Sequence, residues 1–373
     1  PSIWVTTLED VMDPLDGEVS LREAIAYHKY LVGTGAIEST DAVQFEGDLM
    51  DGTFVLNVTE SAPATYPGVY EDVATYGTIL LDADVSIEGN NVTLDGNSGN
   101  YTILRSDSDL DLSVGFLNFA NVASGRAIEV SGGTLTVVSS AFSNIRGGSG
   151  CAILATDCSV SVSNSSFDSL YSTGNGGAIS VSCTSRGAMA SIVYSTFSNC
   201  AAYSGGAIFA SNEGNGSAIL AVHDTSILYC TSETEGGAIV NRYDTFTGTG
   251  LDLRGNKART NGSAIVSGTL ESTKVFRTTL ESVLVAENGY DNNPAQSTVE
   301  VYGRATISNA TIANNRDECG LYSTASAFSV ADLILTNSIV WGNGAINVSA
   351  DGTFEAHNTV VKGGSGVTSG EIW

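Results

Sequence analysis

The sequence predicts an all-β fold, a single solenoid of stacked parallel coils, on three observations. A short phrase recurs as Gly125-Arg126-Ala127-Ile128, Gly150-Cys151-Ala152-Ile153, Gly176-Gly177-Ala178-Ile179, Gly205-Gly206-Ala207-Ile208, Gly236-Gly237-Ala238-Ile239 and Gly262-Ser263-Ala264-Ile265, with isoleucines 25, 26, 29, 31 and 26 residues apart. A second phrase, typified by Ser140-Ala141-Phe142-Ser143-Asn144, sets an apolar residue among Ser, Thr and Asn. Its apolar members are Phe116, Phe142, Phe167, Phe197, Ile227, Leu253, Val285, Ile312, Val340 and Val361, at a mean step of about 27 residues. Between the phrases the chain alternates with period two, as at Thr134-Leu135-Thr136-Val137, and no long helical pattern intervenes. Repeats of this length built only from short strands make one coil each of a solenoid.

Taken in chain order, the elements follow from local chemistry. Ser20-Leu21-Arg22-Glu23 is a capping box, and Leu21, Ala24, Ile25 and His28 share one helical face, so residues 20–32 form a short amphipathic helix that closes the first coil. Residues 1–77 are therefore an N-terminal cap with first strands, and residues 78–373 a β-helix of ten to eleven coils. The segment from Asp41 to Gly77 reads as extended chain leading to the first coils near Ile79 and Val85. The Gly-Gly of the first phrase suits a coil corner, the Ala a crowded contact, and the Ile a place in the core above its equivalents. At a strand spacing of about 4.8 Å, ten coils make a rod about 50 Å long. Asn256, Asn288, Asn315 and Asn343 each follow a second-phrase residue by three positions, which predicts an internal amide ladder. The opening Pro1-Ser2-Ile3-Trp4 and the uncapped Ile372-Trp373 read as the ends of an excised piece.

Charge narrows the partners. The chain carries 15 Lys and Arg against 41 Asp and Glu, a formal net charge of −26. Such a surface repels phosphate backbones and anionic headgroups, so neither nucleic acid nor a membrane surface is an expected partner. No apolar run approaches the length of about 18 residues that a spanning helix needs, so insertion into a bilayer is not expected.

Ser20-Leu21-Arg22-Glu23-Ala24-Ile25 resembles the element that opens many bacterial secreted right-handed parallel β-helix proteins. The Gly-Gly-Ala-Ile and Phe-Ser-Asn phrases, with Asn337-Ser338-Ile339-Val340-Trp341-Gly342-Asn343, resemble repeats of the polymorphic outer-membrane protein type found in autotransporter passengers and surface adhesins. The resemblance spans roughly residues 1–365 and implies a single-stranded right-handed β-helix of the pectate-lyase-like kind. It also implies an extracellular or surface-displayed bacterial protein that adheres to a host or neighbouring-cell protein or glycan. Only three of the six first phrases are full Gly-Gly-Ala-Ile, and Phe167 is followed by Asp168-Ser169. The resemblance carries over no catalytic residue.

The same architecture hosts polysaccharide lyases and glycoside hydrolases, so a carbohydrate-active enzyme is the competing class. Asp107, Asp109 and Asp111 alternate; on a strand they share one face and are the candidate ligands for Ca²⁺, the sole candidate cofactor, against the plainer reading of a solvated outer face. Asp82 with Asp84 and Asp317 with Glu318 are the carboxylate pairs a glycosidase reading would draw on, though neither sits in a motif. Cys200 and Cys230 share one phase on neighbouring coils, and Cys158 and Cys183 nearly do, so both pairs are candidate disulfides; otherwise the cysteines are small core residues. Steps of 30 to 32 residues imply loops, and Tyr171, Tyr203, Tyr229, Tyr243 and Phe246, in or near them, are the candidate ligand-binding aromatics.

Overall fold

A computed structural model describes the chain except for residues 1, 14, 58–73, 76, 186, 271–273, 291–294, 327–329, 363–368 and 373. The chain winds into an all-β solenoid of about ten turns, with one α-helix among the described residues. Three faces recur in each full coil. The isoleucine face stacks Ile79, Leu104, Ile128, Ile153, Ile179, Ile208, Ile239, Ile265, Val299, Leu321 and Val348 in one parallel register. All eleven are fully buried, as a stack of core residues requires. The next face, rich in Ser and Thr outside, turns Leu112, Leu135, Val160, Ala190 and Leu220 inward in register. The third face stacks Phe54, Leu94, Phe119, Phe142, Phe167, Phe197, Ile227, Leu253, Val285, Ile312 and Val340.

The third face corrects one sequence assignment. The member that stacks on Phe142 is Phe119, and Phe116 stands three residues earlier, half exposed at φ 52°. That earlier position is a corner. Ser139, Asn164, Tyr194, Asp224, Gly250, Ser282, Asn309 and Asn337, each three residues before a stacked residue, all have positive φ. A second corner follows two residues after it, at Asn144, Ser169, Asn199, Tyr229, Gly255, Glu287, Asn314 and Gly342. The Asn of the Phe-Ser-Asn phrase is therefore a bend residue, since a short polar side chain tolerates the left-handed region better than most. Between the two corners of a typical coil lies a strand of three residues, such as Thr196–Ser198 or Thr311–Ala313.

The first phrase makes the remaining corner. From Gly150 to Gly262 its first glycine has positive φ, 68° at Gly176 and 66° at Gly205. Its second packs against the next coil: a Cβ at Gly177 would lie 2.1 Å from the Gly206 carbonyl oxygen, so a side chain there would force the coils apart.

Helix α1 (Leu21–Gly33) is the expected cap. Ser20 is its N-cap; Ser20 Oγ accepts from the Glu23 amide, and the Ser20 amide donates to Glu23 Oε2 at 2.9 Å. Leu21, Ala24, Ile25 and His28 are all buried. Arg22 is buried too, and ties the cap to the first coil: it pairs with buried Asp10 and donates to the carbonyls of Gly77 and Thr78, each at 2.8 Å. The cap is continuous with the rod, because Ile3–Val5 and Ala42–Phe45 extend the serine–threonine face and Thr53–Val55 extends the third. Among the described residues no helix is long and apolar enough to cross a membrane.

Candidate functional site

The second phrase also sets the rows that build a groove on the rod's flank. Four residues beyond the stacked position, Arg146, Tyr171, Ala201, Thr231 and Lys257 follow one another coil by coil. Six residues beyond it, the phase holds Thr173, Tyr203, Glu233 and Arg259. Both rows point outward, while Ser172, Ala202, Ser232 and Ala258 between them are buried. Small side chains at Ala201 and Thr231 leave a depression between larger neighbours, a groove of 350 Å³ walled by Tyr171, Tyr203, Tyr290 and Arg259.

The groove's chemistry is mixed. Tyr171 and Tyr203 are 44% and 51% exposed, so each ring offers a free face. Arg146 lies over the Tyr171 ring at 5.6 Å and Lys257 over Tyr290 at 5.3 Å, which fixes two walls by cation–π attraction. Arg259 and Glu233 add one charge of each sign to the lining. Ser232 Oγ, buried among the lining residues, has no hydrogen-bond partner. Rings for stacking, hydroxyls for hydrogen bonding and balanced charge suit an uncharged polyhydroxylated ligand.

The sequence-predicted aromatics divide. Tyr171 and Tyr203 come together in the groove, Tyr171 on the short strand Tyr171–Ser172 and Tyr203 in the bend just after the strand Ala201–Ala202, rather than on extended loops. Tyr229 is 62% exposed at a corner, apart from that lining, with its ring against Gly255. Tyr243 and Phe246 are not binding residues, because both are fully buried. Phe246 sits in the inward register of Leu220 and Thr278, and Tyr243 accepts a hydrogen bond from Cys183 Sγ at 3.4 Å. Burial raises the Tyr243 hydroxyl well above its ordinary pKa. Tyr290 and Arg259 were missed. Counting four and six residues past each stacked position finds Arg259 and the Lys257 over which Tyr290 packs.

The calcium candidates do not converge. Asp107 and Asp109 lie in the turn between the strands Thr102–Ser106 and Asp111–Gly115, so the three carboxylates share no strand. Asp107 pairs with Arg105 at 2.9 Å, Asp109 accepts from the Gly133 amide, and Asp111 accepts from Thr134 Oγ1 at 2.7 Å. Among the described residues no group of three His, Cys, Asp or Glu side chains could hold a metal ion.

The paired carboxylates are also taken up by the framework. Asp82 pairs with Lys29, and Asp84 accepts from the Asp111 amide at 2.9 Å. Asp317 is fully buried while Glu318 is exposed, so the two point apart. Asp317 accepts from Ser263 Oγ, from Thr298 Oγ1 at 2.8 Å and from the Ala295 amide at 3.1 Å; burial outweighs these bonds and pushes its carboxyl up to about 6.

All six cysteines are buried free thiols, so neither candidate bridge is formed. Cys200 and Cys230 do occupy one phase on adjacent coils: their sequence neighbours Ala201 and Thr231 are paired. Burial first, and then the neighbouring Cys230 thiol, raise the Cys200 thiol well above its ordinary pKa. Cys158 and Cys183 are likewise inert by burial, with Cys158 pushed up to about 12.

No match closes the question from outside. No protein-family model matches the chain, and neither a similar curated protein nor a similar solved structure was found.

Proposed function

We propose that this chain is the adhesive, non-catalytic rod of a bacterial cell-surface or secreted protein, and that it holds a glycan of a host or neighbouring cell in the tyrosine groove. The observation that carries this reading is the pair of half-exposed rings, Tyr171 and Tyr203, set over a floor of Ala201, Ala202, Thr231 and Ser232. Tyrosine stacks its face on the C–H side of a sugar while its hydroxyl stays wet, and the Ser and Thr floor offers hydrogen bonds to sugar hydroxyls. A glycosidase needs two facing carboxyl groups and the groove lining holds one, Glu233; Asp82, Asp84, Asp107, Asp109, Asp111 and Asp317 are engaged in structural bonds outside the groove. A polyanionic substrate would also have to approach a chain of net charge −26.

A glycan and host-protein binding array, run beside a cleavage assay on acidic and neutral polysaccharides with calcium present, tests the reading. Binding to glycans is expected, with a loss of tenfold or more in the double variant Tyr171→Ala, Tyr203→Ala at an unchanged unfolding temperature, because both side chains point to solvent. Binding to proteins alone would replace the ligand class. Cleavage at an ordinary enzymatic rate would overturn the adhesin in favour of a carbohydrate-active enzyme.

A further inference from the structure

A second cleft lies at the cap end, on a different face and with a different construction. The outward row of the serine–threonine face begins Trp4, Gln44, Glu88, Gly115, each in register with the next. A Cβ at Gly115 would lie 2.6 Å from Glu88 Oε2, so the absence of a side chain at 115 gives the Glu88 carboxyl its place. Beside this row the corner residues Asn90 and Asn91 and the displaced aromatic Phe116 complete an open cleft of 480 Å³. That volume falls within the usual range of small-molecule sites.

We infer that the cleft lined by Trp4, Gln44, Glu88, Asn90, Asn91 and Phe116 binds a neutral pyranose sugar. Three independent features point there. Trp4 and Phe116 are each 48% exposed and line the same cleft, an arrangement that offers aromatic faces to a ring's apolar side. The side chains of Gln44, Glu88, Asn90 and Asn91 make no hydrogen bond to the described residues, so their donors and acceptors are free for hydroxyls. Among the described residues the lining holds no Lys or Arg, and its one ionisable group is a carboxyl, so these residues offer an anionic ligand no counter-charge. Burial also raises the Glu88 pKa, which disfavours its charged form.

Phe116 supplies the strongest argument. Its corner position holds Ser139, Asn164, Asp224, Gly250, Ser282, Asn309 and Asn337 in later coils, with Tyr194 the other aromatic. A bulky aromatic with φ 52° is strained where Asn or Gly is not, and the strain yields no burial in return, since the ring is half exposed. A residue that neither the backbone nor the core favours fits a role at the surface.

This inference does not depend on the tyrosine groove, and its test keeps the two apart. Trp341→Phe and Trp373→Phe remove the other tryptophans, so fluorescence reports Trp4 alone. Titration with glucose, galactose and N-acetylglucosamine is expected to give saturable quenching with at least one of them. Galacturonate is expected to bind tenfold or more weakly than galactose. Phe116→Asn, the residue favoured at this corner, is expected to keep or raise the unfolding temperature while weakening sugar binding tenfold or more; Tyr171→Ala with Tyr203→Ala leaves it unchanged. No saturable response to any of the sugars, equal binding of galacturonate, or full binding by Phe116→Asn would each overturn the assignment.

Discussion

One corner of the coil is filled in two different ways along the rod. In the earlier coils the stacked residues Phe119, Phe142, Phe167 and Phe197 lie with ring centroids 5.0, 4.8 and 4.5 Å apart, nearly parallel. The position three residues later is apolar: Val122, Ile145, Leu170, then Cys200 and Cys230. In the later coils the stacked residues shrink to Leu253, Val285, Ile312 and Val340, and that position becomes Asn256, Asn288, Asn315 and Asn343. Each amide bonds through both its oxygen and its nitrogen. The Asn256 backbone N–H donates to Asn288 Oδ1 at 2.8 Å, and the Asn288 backbone N–H donates to Asn315 Oδ1 at 3.0 Å. Asn288 Nδ2 donates back to the Leu253 carbonyl at 3.0 Å, and Asn315 Nδ2 to the Val285 carbonyl at 3.0 Å. Cys200 marks the change, since its thiol points at the Phe167 carbonyl as an Asn amide would, at a longer 3.8 Å.

The two fillings serve the same backbone, so coil geometry does not require an apolar corner. Large rings fill the core by area and tolerate an inert neighbour; smaller aliphatics leave room that a bonded amide occupies without loss. The polar half also buries acids, Glu300 and Asp317, whereas the buried polar residues between Phe119 and Cys200 are serines.

Breaking the ring stack should have the largest effect. Phe167→Ala is expected to cost about 4 kcal/mol, because it removes a buried ring between two others. Hydrogen exchange should show the loss in the coils on either side, since a solenoid opens locally. Asn288→Ala is expected to cost about 2 kcal/mol by leaving the Asn256 amide unpaired and removing the side-chain bond to the Leu253 carbonyl, with exchange rising at Asn256 first. Equal protection of the Asn256 amide in both proteins would show that the ladder contributes no stability.

The smallest effect is a pH dependence. The folded Asp317 carboxyl is raised from its usual 3.8 to about 6, so between those values the folded chain holds a proton that the unfolded chain has released. Its contribution to stability is therefore present at low pH and lost as pH rises through about 6. Asp317→Asn removes this dependence, so acidification from pH 7 to pH 5 should stabilise the native chain by about 1 kcal/mol more than the variant. Denaturation midpoints at the two pH values measure the difference.

The fold was legible because a solenoid repeats its local chemistry. The Gly-Gly-Ala-Ile phrase marked a corner and a core position together, and the capping box at Ser20 and Glu23 formed as read. The amide ladder was legible for the same reason. Phe116 was misplaced because an aromatic at a corner looks like an aromatic in a strand when only spacing is counted. Tyr243 and Phe246 were misplaced by taking long repeats as long loops around them. The extra residues lie instead between the isoleucine and serine–threonine faces, for example between Cys183 and Met189. In Thr245-Phe246-Thr247 the alternation already put Phe246 inward. The cap-end cleft had no sequence signal, because Trp4, Gln44 and Glu88 are about 40 residues apart at each step and meet only through coil register.

The paired left-handed corners have a consequence for how this chain tolerates change. Five residues separate the first corner from the second in every coil from Ser139 to Gly342, whereas the distance from the isoleucine to the next stacked residue varies, 14 residues from Ile153 to Phe167 and 20 from Ile265 to Val285. One edge of the rod is thus fixed in length and the opposite edge is elastic. An insertion of several residues on the elastic edge leaves the pitch and the stacks intact. Deleting a single residue between the corners reverses the side-chain alternation and turns the stacked residue outward. Descendants of such a chain can diverge in loop length along one side only.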